Sequence, residues 1–235
     1  MIISLLIILL LMVGLLLTRT FRTEQRLQAM EARLQQGTKD EVGSLFNQLE
    51  SYHYLRDRLN LHQGMPYTRD WSASPDFLKL IVEHALDNKP KTILECSSGL
   101  TTVMLARSCE LNGGGEVFSL ENGAEFAVKS REHVARYGLE QQSTVIDAPL
   151  QTVTLNGSDY EWYATDDIPE RSIDMLVIDG PPGFIQRPSR YPALPLLFYQ
   201  LADDCVISMD DAARSEAKEI VAMWLAEFSA VEHRY

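Results

Sequence analysis

Carboxylates close five short apolar segments of this chain. Glu95 follows Thr92-Ile93-Leu94, Glu121 follows Val117-Phe118-Ser119-Leu120, and Asp147 follows Val145-Ile146. Asp179 follows Leu176-Val177-Ile178, and the pair Asp210-Asp211 follows Ile207-Ser208-Met209. Grouped at one end of a sheet, such residues suit a ligand rich in hydroxyls, an amine or a cation. Taken singly, each also reads as a helix cap or a solvated turn. Asp210 or Asp211 would cap a helix starting near Ala212, and Asp179 would shape the turn Gly180-Pro181-Pro182-Gly183.

After Glu95 comes Cys96-Ser97-Ser98-Gly99, a small polar turn over which a ligand can lie close to the backbone. The dinucleotide fingerprint Gly-x-Gly-x-x-Gly and the Gly-Lys-Ser/Thr phosphate loop are both absent, so a ligand without phosphate fits better than NAD or ATP. Glu121 stands where a carboxylate can accept both hydroxyls of a ribose. The histidines, His53, His62, His84, His133 and His233, show no metal-ligand spacing, and the three cysteines form neither a zinc motif nor a disulfide framework. There is no Gly-x-Ser-x-Gly elbow to support hydrolase chemistry.

The elements that must position these residues alternate between strands and helices, the pattern of a mostly parallel α/β sheet. Strands are predicted at about 92–95, 116–120, 143–147, 173–178 and 205–209. Helices are predicted near 100–110, 124–137, 150–155, 192–202 and 212–227. An earlier helix starts at Ser74-Pro75-Asp76, buries Phe77, Leu78, Ile81, Val82 and Ala85, and ends at Asn88-Lys89-Pro90. Residues 228–235 have room to begin a sixth strand.

Met1 to Leu17 is apolar apart from Ser4 and Gly14, and Arg19, Arg22, Arg26 and Arg33 follow it. With no basic residue before the run and bulky leucines at its end, it reads as a single-pass anchor rather than a cleaved leader. The basic residues after it place the remaining chain on the cytoplasmic side of the membrane. The segment 19–63 is helical, with Leu27, Met30 and Leu34 on one face, a break at Gly37-Thr38-Lys39-Asp40, and Val42, Leu45, Leu49 and Tyr52 beyond it. It is either a short coiled coil that makes a homodimer through 21–60 or a helix laid against its own domain. The predicted organisation is therefore an anchor over 1–18, a helical linker over 19–63 and a catalytic domain over 64–235. The chain has a net charge of −12, and its acidic excess lies after residue 60, so no basic footprint for nucleic acid is present.

From about Gly64 onward the chain resembles the class I S-adenosylmethionine-dependent methyltransferases, in particular the bacterial branch related to catechol and caffeoyl-CoA O-methyltransferases. The segment Ile93-Leu94-Glu95-Cys96-Ser97-Ser98-Gly99-Leu100-Thr101-Thr102 resembles that family's first motif, Val117 to Glu121 its second, and Val145 to Leu150 its third. Met175 to Gly183, Arg190 to Leu194, Met209 to Arg214 and Trp71 to Asp76 extend the likeness. The resemblance implies a Rossmann-like sandwich and S-adenosylmethionine as cofactor. Carried over, Glu95 sits near the methionine amino group; Ser97, Ser98 and Gly99 line the methionine and ribose; Glu121 holds the ribose hydroxyls. Asp147 or Ala148 lies beside the adenine edge, and Asp179 borders the same site.

In the metal-dependent members, carboxylates at the fourth and fifth strand ends bind a divalent ion that orients the acceptor hydroxyl and lowers its pKa. Here the matching catalytic and Mg²⁺ positions are Asp179, Asp210 and Asp211. No basic side chain follows Asp179, where Pro181-Pro182 stand. Tyr67, Trp71, Arg187, Arg190 and Tyr191 are candidates for contacting the acceptor, and Arg214 for pairing with Asp210 or Asp211.

Two departures stand out. Ser97 occupies the place of the motif's first glycine, and the family's sixth and antiparallel seventh strands have no full counterpart. The expected activity is methyl transfer to oxygen of a small molecule or membrane-associated saccharide, at the cytoplasmic face of a bacterial inner membrane. The competing expectation is a degenerate domain serving as a membrane-tethered binding or assembly module.

Overall fold

The computed structural model describes residues 2–61, 64–65 and 72–234, with the side chains of 4–8 outside that set. The expected acceptor contacts Tyr67 and Trp71 fall outside the described residues. Two units are distinguished, Met1–Glu50 and Ser51–Tyr235.

Helix α1 (Ile2–Arg58) supplies the first unit. It passes through Gly37 without the predicted break. Thr38 Oγ1 donates to the Leu34 carbonyl (3.0 Å) and Gln36 donates to Asp40 one turn on (2.8 Å). A lone glycine costs a helix only about 1 kcal/mol, which its neighbours offset. The side chains of Leu27, Met30, Leu34, Val42, Leu45 and Leu49 are exposed in the single chain. Among the described residues no helix is long and apolar enough to cross a membrane. The spanning anchor expected over Met1–Leu17 is thus unsupported there, and it includes residues 4–8, whose side chains lie outside the description.

In the second unit, Leu55, Leu59 and Leu61 pack into a core with helix α2 (Pro75–Asn88). Proline in the first turn of α2 and a left-handed Lys89 at its end bound the helix as expected, although Ser74 makes no side-chain cap bond. The remaining helices are α3 (Leu100–Leu111), α4 (Ala124–Tyr137), the short α5 (Ala193–Leu197) and α6 (Ser215–Glu227). The strands are β1 (Thr92–Cys96), β2 (Glu116–Glu121), β3 (Ser143–Asp147), β4 (Leu150–Leu155), β5 (Ser158–Tyr163), β6 (Ile173–Ile178) and β7 (Leu201–Met209).

Five strands form one parallel sheet in the order β3-β2-β1-β6-β7. The chain builds outward from β1 through β2 to β3, then crosses to β6 on the other side, so the order reverses between β1 and β6. Ligands of such sheets bind beyond the strand ends at that divide. One face carries Ile93, Val117, Met175 and Val177 and packs with α2 and α3. The other carries Leu94, Cys96, Phe118, Leu120, Leu176 and Ile178 and packs with α5 and α6.

Three sequence expectations change. The helix predicted over 150–155 is strand β4, paired antiparallel with β5. Its β-branched alternation runs into Asn156-Gly157, whose φ values of 51° and 79° are the both-positive pair of a type I′ hairpin turn. The helix predicted over 192–202 stops early: α5 gives way to a 3₁₀ turn at Phe198–Gln200, and β7 begins at Leu201 rather than 205. No strand forms over 228–234; Phe228 stacks on Phe198 instead, with ring centroids 4.6 Å apart. Tyr235 lies outside the described residues.

Candidate functional site at the ends of the parallel strands

The loop from β1 to α3 is bent by two unusual backbones. Ser97 has φ 123° and Gly99 φ 146°, a region where side chains are strained. A side chain on Gly99 would meet nothing within 4 Å, so its backbone lies bare. Ser97 N–H donates to Leu120 O (3.0 Å), while the amides of Asp179 and Gly180 both donate to Cys96 O (3.1 and 2.8 Å). These bonds hold the strand ends of β1, β2 and β6 together around the loop.

Glu95 does not open onto the loop. It shares the face of Ile93 and is fully buried. Ser119 Oγ and Thr102 Oγ1 donate to its Oε2 (2.6 and 2.7 Å), and Thr101 Oγ1 donates to its Oε1. Burial raises its pKa to about 7, although the three hydroxyls pull it down. A group so enclosed acts beneath the site, securing the first turn of α3.

Glu121 is placed differently. Its Oε2 accepts Ser98 Oγ (2.7 Å) and its Oε1 accepts the Gly123 amide (2.9 Å). Ser130 donates to Ser98 at 2.7 Å and completes the chain. Each carboxylate oxygen keeps acceptor capacity beyond these bonds. The Ala148 amide donates to Glu121 O (2.8 Å), which brings the end of β3 alongside. Asp147 points elsewhere: its side chain is 65% exposed and pairs with Arg131 at 2.8 Å.

At the ends of β6 and β7, Asp179, Asp210 and Asp211 come together, but around a cation the protein already owns. Arg190, only 11% exposed, donates from Nη1 to Asp210 O and from Nη2 to Asp179 O, both at 2.7 Å. Its Nη2 also lies 3.5 Å from Asp211 Oδ2 and 3.7 Å from Asp179 Oδ1. Asp211 pairs further with Arg214 (2.8 Å). Among the described residues no group of three His, Cys, Asp or Glu is arranged to hold a metal ion. The Mg²⁺ site expected at Asp179, Asp210 and Asp211 is therefore corrected: a guanidinium sits among these carboxylates, so they do not fit a divalent ion. Burial and the neighbouring Asp210 charge raise the pKa of Asp179, against the pull of Arg190.

Two other expected acceptor contacts are engaged. Tyr191 is 1% exposed; its hydroxyl donates to Glu227 Oε2 (2.7 Å) and accepts from Asn156 Nδ2 (2.8 Å). Arg187 is exposed and lies 3.4 Å from Glu216. A cleft of about 30 Å³ between Ser189, Arg190, Arg214 and Glu216 has room for little more than a water.

One residue was not foreseen from the sequence. Tyr163, at the end of β5, sets its hydroxyl directly over Gly180, where the first atom of any side chain would overlap it. The Asn156-Gly157 turn was the signal that would have placed it on a hairpin.

A sequence-family model described as a methyltransferase domain matches residues 94–212. Among solved structures, the precorrin-6Y C5,15-methyltransferase of Geobacter metallireducens is similar with a TM-score of 0.51 and 11% identity, covering 71% of this chain and 77% of that one. A Bacillus cereus O-methyltransferase in complex with SAH has a TM-score of 0.47 and 16% identity, covering 77% and 80%. An SAH-bound methyltransferase of Podospora anserina has a TM-score of 0.47 and 20% identity, over 69% of this chain; the chain spans only 61% of its length. No curated protein matches at a significant level.

Proposed function

Because this chain belongs to the methyltransferase-domain family, we propose that it binds S-adenosylmethionine and transfers its methyl group to an oxygen of a small-molecule or saccharide acceptor. The observation that carries this reading is Glu121 at the end of β2, tied to Ser98 and Gly123 beside the bare backbone of Gly99. The residues present fit the cofactor. Glu121 would take the ribose hydroxyls, the Ser97–Gly99 loop the methionine and ribose, and Ala148 the adenine edge. When bound, the cofactor supplies an electrophilic methyl group on a sulfonium, displaced in line by the acceptor.

The chain's own part is to hold both partners and to manage one proton. Asp179, whose burial raises its pKa and so makes its ionised form a stronger base, is the carboxylate we assign to receive the acceptor hydroxyl's proton. Arg190 fixes the Asp179 main chain and balances the charge on Asp210 and Asp211. Calorimetry tests the reading: S-adenosylhomocysteine should bind at micromolar concentration, and Glu121→Ala should abolish the binding. A folded chain that binds no S-adenosylhomocysteine would refute it.

The exposed apolar side chains of Ile2, Ile3 and Leu9 to Leu17, followed by Arg19 and Arg22, support a tether to an anionic membrane face. Co-sedimentation of the full chain with vesicles containing anionic lipid is the expected result. Release into the supernatant would overturn the tether and leave the methyltransferase reading intact.

A further inference from the structure

We propose that α1 pairs with α1 of a second copy as a parallel two-stranded coiled coil over residues 19–36, set in register by arginine–glutamate pairs between the helices. The inference concerns the first unit alone and is independent of the cofactor reading.

Three observations carry it. First, this stretch has nothing in its own chain to pack on. Every described side chain from residue 9 to residue 47 is exposed, and Leu27, Met30 and Leu34 are each 60% or more exposed. Helices in water take most of their stability from packing an apolar face, so this one calls for a covering surface. Spacings of three and four residues put the three side chains at the a, d and a positions of a heptad seam. Thr20 and Thr23 fill the preceding a and d positions. Their hydroxyls donate to Leu17 O (2.9 Å) and Arg19 O (2.8 Å), so they enter a seam already satisfied.

Second, the charges beside the seam repeat with the same period. Arg19, Arg26 and Arg33 take successive g positions, and Glu24 and Glu31 take successive e positions. None of the five has an opposite charge three or four residues away on its own helix. Among the described residues the ion pair within α1 is Arg56–Asp57, at its far end. Within one helix these charges are idle; between two they match. In a parallel pair, g of one heptad faces e of the next on the other helix. Arg19 then meets Glu24 of the second copy, and Arg26 meets Glu31 of the second copy, each twice by symmetry. An antiparallel pair sets arginine against arginine and glutamate against glutamate, so the pattern selects the parallel one.

Third, the charge ladder stops where the seam stops. The next d and a positions fall on Gly37 and Glu41, and the apolar side chains resume at Val42, Leu45 and Leu49, one residue out of phase. In that later frame the facing g and e positions are Glu41 and Phe46, which do not pair. The homodimer expected over 21–60 is thereby assigned to the part ahead of Gly37. Two strands suit it, because charged e and g side chains stay at the solvent rim there, whereas wider bundles bury them.

The test is sedimentation equilibrium of the full chain in a neutral detergent, where the wild type should be a dimer. Arg26→Glu sets like charges together in two symmetric places and should weaken the dimer about tenfold. Adding Glu31→Arg to it exchanges the charges and should return the affinity to within about twofold of wild type. Oxidative cross-linking reads the register in a Cys205→Ser background, since Cys96 and Cys109 are buried. Met30→Cys should join the two copies, and Gln28→Cys on the outer face should not. A monomeric wild type overturns the proposal and leaves the stripe to lipid or to another protein. A trimer, a single reversal without effect, or a double variant as weak as the single one overturns it as well. So does equal cross-linking from Met30→Cys and Gln28→Cys.

Discussion

Arg190 donates to the main-chain carbonyl of Asp179 at 2.7 Å, so the loop that leaves β6 returns to clasp the strand's own end. The same guanidinium holds the end of β7 through Asp210 O. A side chain eleven residues downstream thereby sets a positive charge among the carboxylates at these two strand ends.

Methyl transfer should consequently be indifferent to chelation. We expect EDTA to leave the rate unchanged and added Mg²⁺ to leave the melting temperature unchanged. Arg190→Met strands Asp179 and Asp210 without their cation, while Asp211 keeps Arg214, and should destabilise the fold by about 3–5 kcal/mol, read by urea denaturation. A chelator-sensitive rate would show that the carboxylates recruit an ion after all.

Glu95 makes stability depend on pH in an unusual direction. Its folded pKa, about 7, lies above its ordinary value of 4.5, so between these values the native state holds a proton that the unfolded chain has released. The stabilisation is complete below pH 4.5 and fades as pH rises through 7. Its slope is at most about 1.4 kcal/mol per pH unit. Glu95→Gln, always neutral, should flatten this part of the curve. Equal slopes for both proteins in denaturant titrations at pH 5 to 8 would contradict the burial argument.

Ser97 holds φ 123°, a conformation glycine adopts freely. Ser97→Gly should therefore stabilise the protein by about 1 kcal/mol, a rise of about 2–4 °C in melting temperature. Ser97→Val should lower it. Identical melts for the three proteins would mean that the loop carries no strain.

Gly180→Ala forces a methyl group into the Tyr163 hydroxyl and should cost about 1–3 kcal/mol. In the Tyr163→Phe background the same change should cost less, because the obstructing oxygen is gone. Thermodynamic coupling between the two substitutions is the measurement, and strict additivity would place the residues apart.

The parallel sheet was legible because its strands are short apolar runs bounded by turn residues, and all five appear within a few residues of their predicted positions. The hairpin was not, because Leu150 and Val153 sit three apart and imitate a helical face, outweighing the Asn156-Gly157 turn. Within the site, Glu121 and Asp179 could be read from position alone. The inward turn of Glu95 follows from alternation, since it has the parity of Ile93, but the hydroxyls that receive it come from α3 and β2 and only the fold assembles them. Arg190 was visible as a loop arginine. Its seat between two strand ends depends on a loop path that periodicity does not encode.

The hairpin also joins distant parts of the molecule. Tyr163 stands at its root, while Asn156 at its tip is fastened to Tyr191, which in turn grips Glu227 in the last turn of α6. The ribbon is thus a beam pinned at both ends, and the lie of the phenol at its root is set partly by the far end of α6.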